Sequence, residues 1–373
     1  MVDASGPGRG DGSRSVLRQV HRDGDDEGQL SSLSSSSIDC FLQAKRVTRL
    51  FGTRRMRMNR EALVSGALVF ALYGGRDAAI PLVVDAREAR PRTPPTLSAT
   101  PSRPEPGAIV RLALRDTPGD SVIAIHGTMA GEPLHFLRAA PGVWHAIGAV
   151  PVDATKSVVA HAIVEHVSGV TDTLRVALTI PVVRLPKAEP LAVDTSFTQP
   201  PDSATIARIA SENERARDVG RRAHESPPMW TASFLRPRTS RITSQFGSGR
   251  VFNGQVTSRH LGVDFQGNAG DTIRAANRGV IALVDRFLLA GNVVYIDHGG
   301  GVVTGYFHMS KPLVAVGDTV ARGQVIGLVG ATGRVTGSHL HWSARYGALA
   351  MNPFDLLSLP KSWYSGSITP RKK

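Results

Sequence analysis

Between His260 and Trp342 the chain runs as short β-branched stretches cut by glycine, Val293 to Asp297, Val302 to Phe307 and Val325 to Val329 among them. Runs this short, bounded by turn residues, predict strands rather than helices. Five polar residues sit on that scaffold: His260 and Asp264 four apart, His308 just after Tyr306-Phe307, and His339 and His341 two apart. On a strand, residues two and four apart share a face. Each pair can therefore present its side chains together, and Thr304, Tyr306 and His308 are expected on one face. Imidazole combined with carboxylate suits Zn²⁺, and three protein ligands with one open position mark a reactive rather than a purely structural zinc site. Five candidates exceed three ligands, which leaves the remaining histidines free for acid–base work. His298, in the Gly299-Gly300-Gly301 turn, is assigned no chemistry.

The rest of the composition narrows the donor set and the partners. The only cysteine, Cys40, permits neither an internal disulfide nor a cysteine zinc site, so any zinc must be held by histidine and carboxylate. Asp39 stands where a lipid-anchoring motif needs a small residue, which argues against an anchor at Cys40. The 373 residues carry 44 Lys and Arg against 31 Asp and Glu, a net +13, and 41% are hydrophobic. That is ample for two or three domains with real cores. The positive surplus persists beyond the first 57 residues and favours an anionic partner such as a cell-wall polymer or a membrane surface. No RNP-like, zinc-finger or helix-turn-helix pattern accompanies it, so no nucleic-acid partner is assigned.

Taken in order, residues 1–55 read as a disordered or untranslated extension, with the serine run Ser31–Ser37 behind a charged stretch. Residues 56–86 read as a signal peptide: the basic Arg54–Arg60 precedes the apolar Ala62–Gly74, too short to span a bilayer. Translation is then expected to start at Met56 or Met58. Residues 87–107 are rich in Pro and Arg and read as a linker. Regular short alternating runs follow, and the segment 96–184 is expected to be an immunoglobulin-like β-sandwich that folds on its own. Its histidines His126, His135, His145, His161 and His166 lack tight spacing or a common carboxylate and read as surface or core residues. A second proline-rich linker covers 184–201. Asp202-Ser203 caps a helix within 202–225, read as a solvated spacer with one thin apolar stripe. Residues 230–360 form a C-terminal β-rich domain, which makes the whole chain mainly β.

Within that domain, Ser258 to Phe265, Tyr306-Phe307-His308, Gly317-Asp318 through Ile326-Gly327, and Thr332-Gly333 through Gly337-Ser338-His339-Leu340-His341-Trp342 together resemble the lysostaphin/LytM-type zinc peptidases, family M23. The resemblance covers about residues 240–357. It implies that His260, Asp264 and His341 bind Zn²⁺ and that His308 and His339 are the catalytic histidines. It further implies an exported, periplasmic or envelope-associated monomer that cuts peptide cross-links of peptidoglycan. The immunoglobulin-like module is then free to meet a cell-envelope protein. The alternative is a non-catalytic wall-binding module or an activator of a cell-wall amidase, since some relatives keep the fold and lose the ligands. One position departs from the pattern: some members place a tyrosine six residues before the first ligand, where this chain has Gly254, and nearby Phe252 has no hydroxyl. The Val316–Gly327 hairpin is also similar to that of biotinyl and lipoyl carriers, but the only lysine within 279–349 is Lys311, beside Pro312, and no carrier role is assigned.

Overall fold

The computed structural model describes residues 93–116, 121–183, 189–191, 201–252 and 255–359. The expected extension, signal peptide and most of the second linker lie outside the described residues, as do Gly254 and the side chain of Phe252. The first part of the chain forms β1 Thr96–Thr100, β2 Ile109–Arg115, β3 Val122–Met129, β4 Glu132–Leu134, β5 Leu137–Ala140, β6 Val143–Ala149, β7 Ser157–His166 and β8 Thr171–Thr179. Two four-stranded antiparallel sheets result, ordered β1-β2-β6-β5 and β4-β3-β7-β8. Strand alternation builds the core between them: Val110, Leu112 and Ala146 of one sheet pack with Met129, Leu134, Val158, Ala160 and Leu178 of the other. β1 falls inside the stretch read as a linker. It occupies a sheet edge, and the prolines flank it rather than interrupt its pairing with β2. The second linker likewise yields a short strand, β9 Glu189–Leu191.

Helix α1, Ser203–Arg222, begins where expected: Asp202 is the N-cap, and its carboxylate accepts from the Thr205 amide at 2.7 Å. It is less of a free spacer than its composition suggests. Its C-terminal half packs through Ala216 and Val219, with the C-cap Ala223, against Phe287, Val293, Tyr295 and Val303. Gly220 permits this docking, because a Cβ there would lie 1.8 Å from the Gly347 carbonyl oxygen. Ile206, in the N-terminal half, is exposed.

The remaining elements are β10 Ile242–Ser244, β11 Gly249–Phe252, β12 Gln255–Arg259, β13 Val263–Gln266, β14 Thr272–Arg274, β15 Gly279–Phe287 and β16 Gly291–Asp297. They continue with β17 Val302–Pro312, β18 Thr319–Val320, β19 Val325–Val329, β20 His339–Tyr346, β21 Leu349–Met351 and α2 Pro353–Leu357. The main sheet runs β10-β13-β20-β17-β16-β15-β18, with β14, β19 and β21 attached at its flanks. A separate small sheet joins β11 to β12 and, in parallel, to β9. Phe265, Tyr306, Met309, Leu340 and Trp342 fill the core under the main sheet. His298 is wholly buried, with Nδ1–H donating to the Arg278 carbonyl at 2.7 Å and Nε2 meeting the Thr304 hydroxyl at 2.8 Å. It is a structural histidine that pins the hairpin turn.

The sandwich and the C-terminal domain share packing. Ile109, Ile147 and Ala149 belong to the same buried cluster as Phe265 and Trp342. The Tyr346 hydroxyl donates to the Pro133 carbonyl at 2.6 Å, and Glu132 accepts from the Ala348 amide at 2.9 Å. His224, expected on the helix, follows the C-cap Ala223 and joins the same contact. It stacks on His135 with ring centroids 5.1 Å apart, and its Nε2 lies 3.0 Å from Glu132.

Candidate metal centre

Three strands and a loop bring the site together. β13 pairs with β20 in a register that sets Asp264 opposite His341. Just before β13, the turn residue His260 donates its amide to the Ser248 carbonyl at 2.8 Å, which fixes it above that pair. His260 Nε2, Asp264 Oδ1 and His341 Nδ1 form a triangle with edges of 2.8, 2.9 and 3.0 Å. One cation with bonds of about 2.0–2.1 Å can touch all three corners of a triangle this small. All three residues are buried, and among the described residues theirs is the one such cluster of metal-ligating side chains. The donor set, two imidazoles and a carboxylate, fits Zn²⁺.

Second contacts fix the ligand atoms. His260 Nδ1–H donates to the Gln245 carbonyl at 2.9 Å, which leaves the Nε2 lone pair facing the triangle. Phe307 lies flat on His341, with centroids 4.9 Å apart and planes 11° from parallel. Gly262 makes room on another side, since a Cβ there would fall 2.4 Å from His341 Nε2. Burial pushes the Asp264 carboxyl up, but the hydrogen bonds and charges of His260 and His341 outweigh it and hold the group well below the usual carboxylate range. Burial lowers His341 to about 4 against the pull of Asp264, so its imidazole is neutral at pH 7.

The other two histidines sit beside the triangle. His308 and His339 have ring centroids 4.8 Å apart, and His308 lies 6.0 Å from His341 by the same measure. His308 Nδ1–H donates to the Thr332 carbonyl at 2.9 Å, and His339 Nδ1–H donates to the Gly337 carbonyl at 2.8 Å. Each Nε2 is thereby left as the acceptor, and that of His339 is 3.8 Å from Asp264. Burial, then the neighbouring histidines, lower the His308 pKa well below its ordinary value. The expected common face of Thr304, Tyr306 and His308 does not form. The β16–β17 register shifts between Asn292 and Val294, and His308 takes a left-handed φ of 61°. This bulge turns Phe307 and His308 together toward the site, while Thr304 and Tyr306 hydrogen-bond to each other at 3.0 Å on the core side.

Arg250 was not singled out from the sequence. From β11 its Nη2 donates to Asp264 Oδ2 at 2.6 Å, so both oxygens of that carboxylate are engaged. No local spacing marks a contact made across fourteen residues from a different sheet.

Residues 258–353 match the model of Peptidase family M23. Over 141 residues the chain is 39% identical to the peptidoglycan DD-endopeptidase ShyA of Vibrio cholerae, covering 36% of this chain and 32% of that protein. Over 117 residues it is 41% identical to the DD-carboxypeptidase/endopeptidase Mpg of Neisseria meningitidis, covering 31% of this chain and 27% of that one. The match therefore spans about a third or less of the length of these relatives. A crystal structure of a peptidase M23 from Pseudomonas aeruginosa shares the fold across 68% of this chain and 95% of its own, with a TM-score of 0.52 and 24% identity. The segment that matches Peptidase family M23 thus contains the His/His/Asp triad able to hold a metal ion.

Proposed function

We propose that the protein is an exported, zinc-dependent endopeptidase that hydrolyses peptide cross-links of bacterial peptidoglycan. The observation that carries this reading is the convergence of His260, Asp264 and His341 on one point, with two further imidazoles aimed at it from β17 and β20. A Zn²⁺ ion held there supplies Lewis-acid polarisation of the scissile carbonyl and activation of a water. His308 and His339, each anchored through Nδ1–H to a backbone carbonyl, present a basic Nε2. Between them they take the proton of the attacking water and stabilise the charge that develops on the carbonyl oxygen. The proton is then delivered to the leaving amine. The full complement of five residues favours an enzyme over a wall-binding module that has lost its ligands.

The substrate assignment draws on the relatives named for peptidoglycan DD-endopeptidase activity, and the chain's basic surplus suits a wall polymer. The N-terminal sandwich is read as immunoglobulin-like, because β1-β2-β6-β5 facing β4-β3-β7-β8 follows the A-B-E-D and C′-C-F-G strand orders of that fold. Export to the periplasm or envelope, a monomeric state and a cell-envelope protein partner for the sandwich complete the proposal. Digestion of purified peptidoglycan, with fragments identified by mass spectrometry, tests it. Conversion of cross-linked dimers to monomers, abolished by chelation and restored by Zn²⁺, is the expected result. Undiminished dimers in the presence of zinc would overturn it.

A further inference from the structure

Of the five histidine and aspartate residues at the site, His260 alone lies outside a strand, so no sheet ladder fixes it. It is held instead by the loop from Gln245 to Ser248. Its Nδ1–H donates to the Gln245 carbonyl at 2.9 Å, its amide donates to the Ser248 carbonyl at 2.8 Å, and its carbonyl accepts from the Gly247 amide at 2.8 Å. His260 therefore goes where this loop goes. On either side of it, Arg259 and Leu261 line a cavity of about 820 Å³, shared with Glu105 and Val152 of the sandwich, and a void gives that stretch no packing support. The loop itself does rest on the sandwich, through Phe246. One part of the ring packs against the core of the C-terminal domain. Another part lies on Gly107, in the connection between β1 and β2: a Cβ at Gly107 would fall 2.5 Å from Cε1 and 2.7 Å from Cζ. Gly107 is buried and fixed from both sides. Its amide donates to the Val150 carbonyl at 3.0 Å, and its carbonyl accepts from the Asn352 amide of the C-terminal domain at 2.8 Å.

We propose that the sandwich is a positioning element of the metal centre: the Gly107 turn braces the Phe246 ring, and through the Gln245–Ser248 loop it sets where His260 Nε2 meets Asp264 and His341. This rests on the metal-centre reading of those three residues and adds that zinc affinity depends on a contact with another domain. Gly107 and Phe246 offer no ligand atom, so both act through His260 as positioning residues. Closely packed groups pass a displacement on rather than absorb it. The support of a ligand is worth about 10- to 100-fold in metal affinity. A sandwich that docked only for stability would change unfolding and leave zinc affinity alone.

The test is a double-substitution cycle in the full chain, with zinc affinity read by competition with a chelator. Gly107→Ala sets a methyl against the Phe246 ring, and Phe246→Leu removes the Cε1 and Cζ atoms that the methyl would meet. Gly107→Ala is expected to weaken zinc binding about 10- to 100-fold in the native background, and by less than about twofold when added to Phe246→Leu. Alanine is strained at the φ of 81° in either background, so affinity decides and unfolding does not. Should Gly107→Ala not fold, Gly107→Asn takes its place, because asparagine tolerates the left-handed region and still carries a Cβ. Zinc affinity unchanged by the Gly107 substitution, or weakened equally in both backgrounds, would overturn the proposal. Hydrogen exchange of the Gly247 and His260 amides in the metal-free chain gives a readout that needs no zinc. The Gly107 substitution should quicken exchange at both amides in the native background and not when added to Phe246→Leu. Should the wild type bind no zinc, the metal-centre reading fails and exchange decides this one. That pattern supports the brace, and exchange that is unchanged, or equally quickened in both backgrounds, contradicts it.

Discussion

Ile109 of the sandwich donates its backbone N–H to the carboxylate of Asp355, on the helix that closes the C-terminal domain, at 2.8 Å. Burial raises the Asp355 pKa, and this hydrogen bond opposes the rise. Around it Ile109, Ile147 and Ala149 pack into the same core as Phe265 and Trp342. Asp355→Ala is therefore expected to destabilise the chain by about 1–3 kcal/mol, the cost of stranding a buried donor. Asp355→Asn should cost less, because its amide oxygen still accepts. Denaturant unfolding of the three proteins measures the order. By the same contact, a chain starting near Asp202 exposes apolar surface that the full chain buries and should unfold at a lower temperature.

His298 makes acid stability testable away from the metal site. Burial lowers its pKa to about 4, against about 6.5 in an unfolded chain. Because the folded pKa is depressed, the neutral imidazole's contribution is fully present above about pH 6.5. It is lost as the pH falls toward 4, where the unfolded state binds the proton more readily. The loss across that window is about 3 kcal/mol. His298→Gln should be less stable than wild type at pH 7, and the gap should close on acidification. A gap that stayed constant from pH 7 to 4.5 would refute the assignment.

Gly262 stands against His341, with room for hydrogen only. Gly262→Ala should force the imidazole from its place and weaken zinc binding about 10- to 100-fold, the usual effect of disturbing a ligand's support. Overpacking should cost about 1–3 kcal/mol in stability. Competition with a chromophoric chelator reads the affinity directly.

His308→Ala should retain zinc and lose about 10²–10⁴ in turnover, the range for a missing acid–base group. Its ring is fixed by the Thr332 carbonyl and lies outside the ligand triangle. Loss of the metal in this variant would make His308 a ligand instead.

The strands that carry the site were legible because β-branched runs and glycine turns are local signals. Val293–Asp297 and the run from Val302 became β16 and β17 almost as read. Asp202 marked the start of α1 for the same reason. The direction of His308 was not legible, since one bulge residue inverts the alternation and nothing in Tyr306-Phe307-His308 marks the extra residue. β1 and β9 were hidden among prolines that their edge positions tolerate. Arg250 escaped because its partner Asp264 belongs to another sheet. The contact of His224 with His135 and Glu132 depends on how two domains meet, which no periodicity encodes.

Bound zinc per chain, measured for wild type and for His341→Ala after identical loading and desalting, tests the central claim most directly. His341 Nδ1 is one corner of a triangle with edges of 2.8, 2.9 and 3.0 Å, and a three-ligand site without that imidazole cannot hold the ion tightly. About one zinc in the wild type and almost none in the variant is the predicted result. A variant that kept the wild-type zinc content would contradict the assignment of His260, Asp264 and His341 as the metal centre.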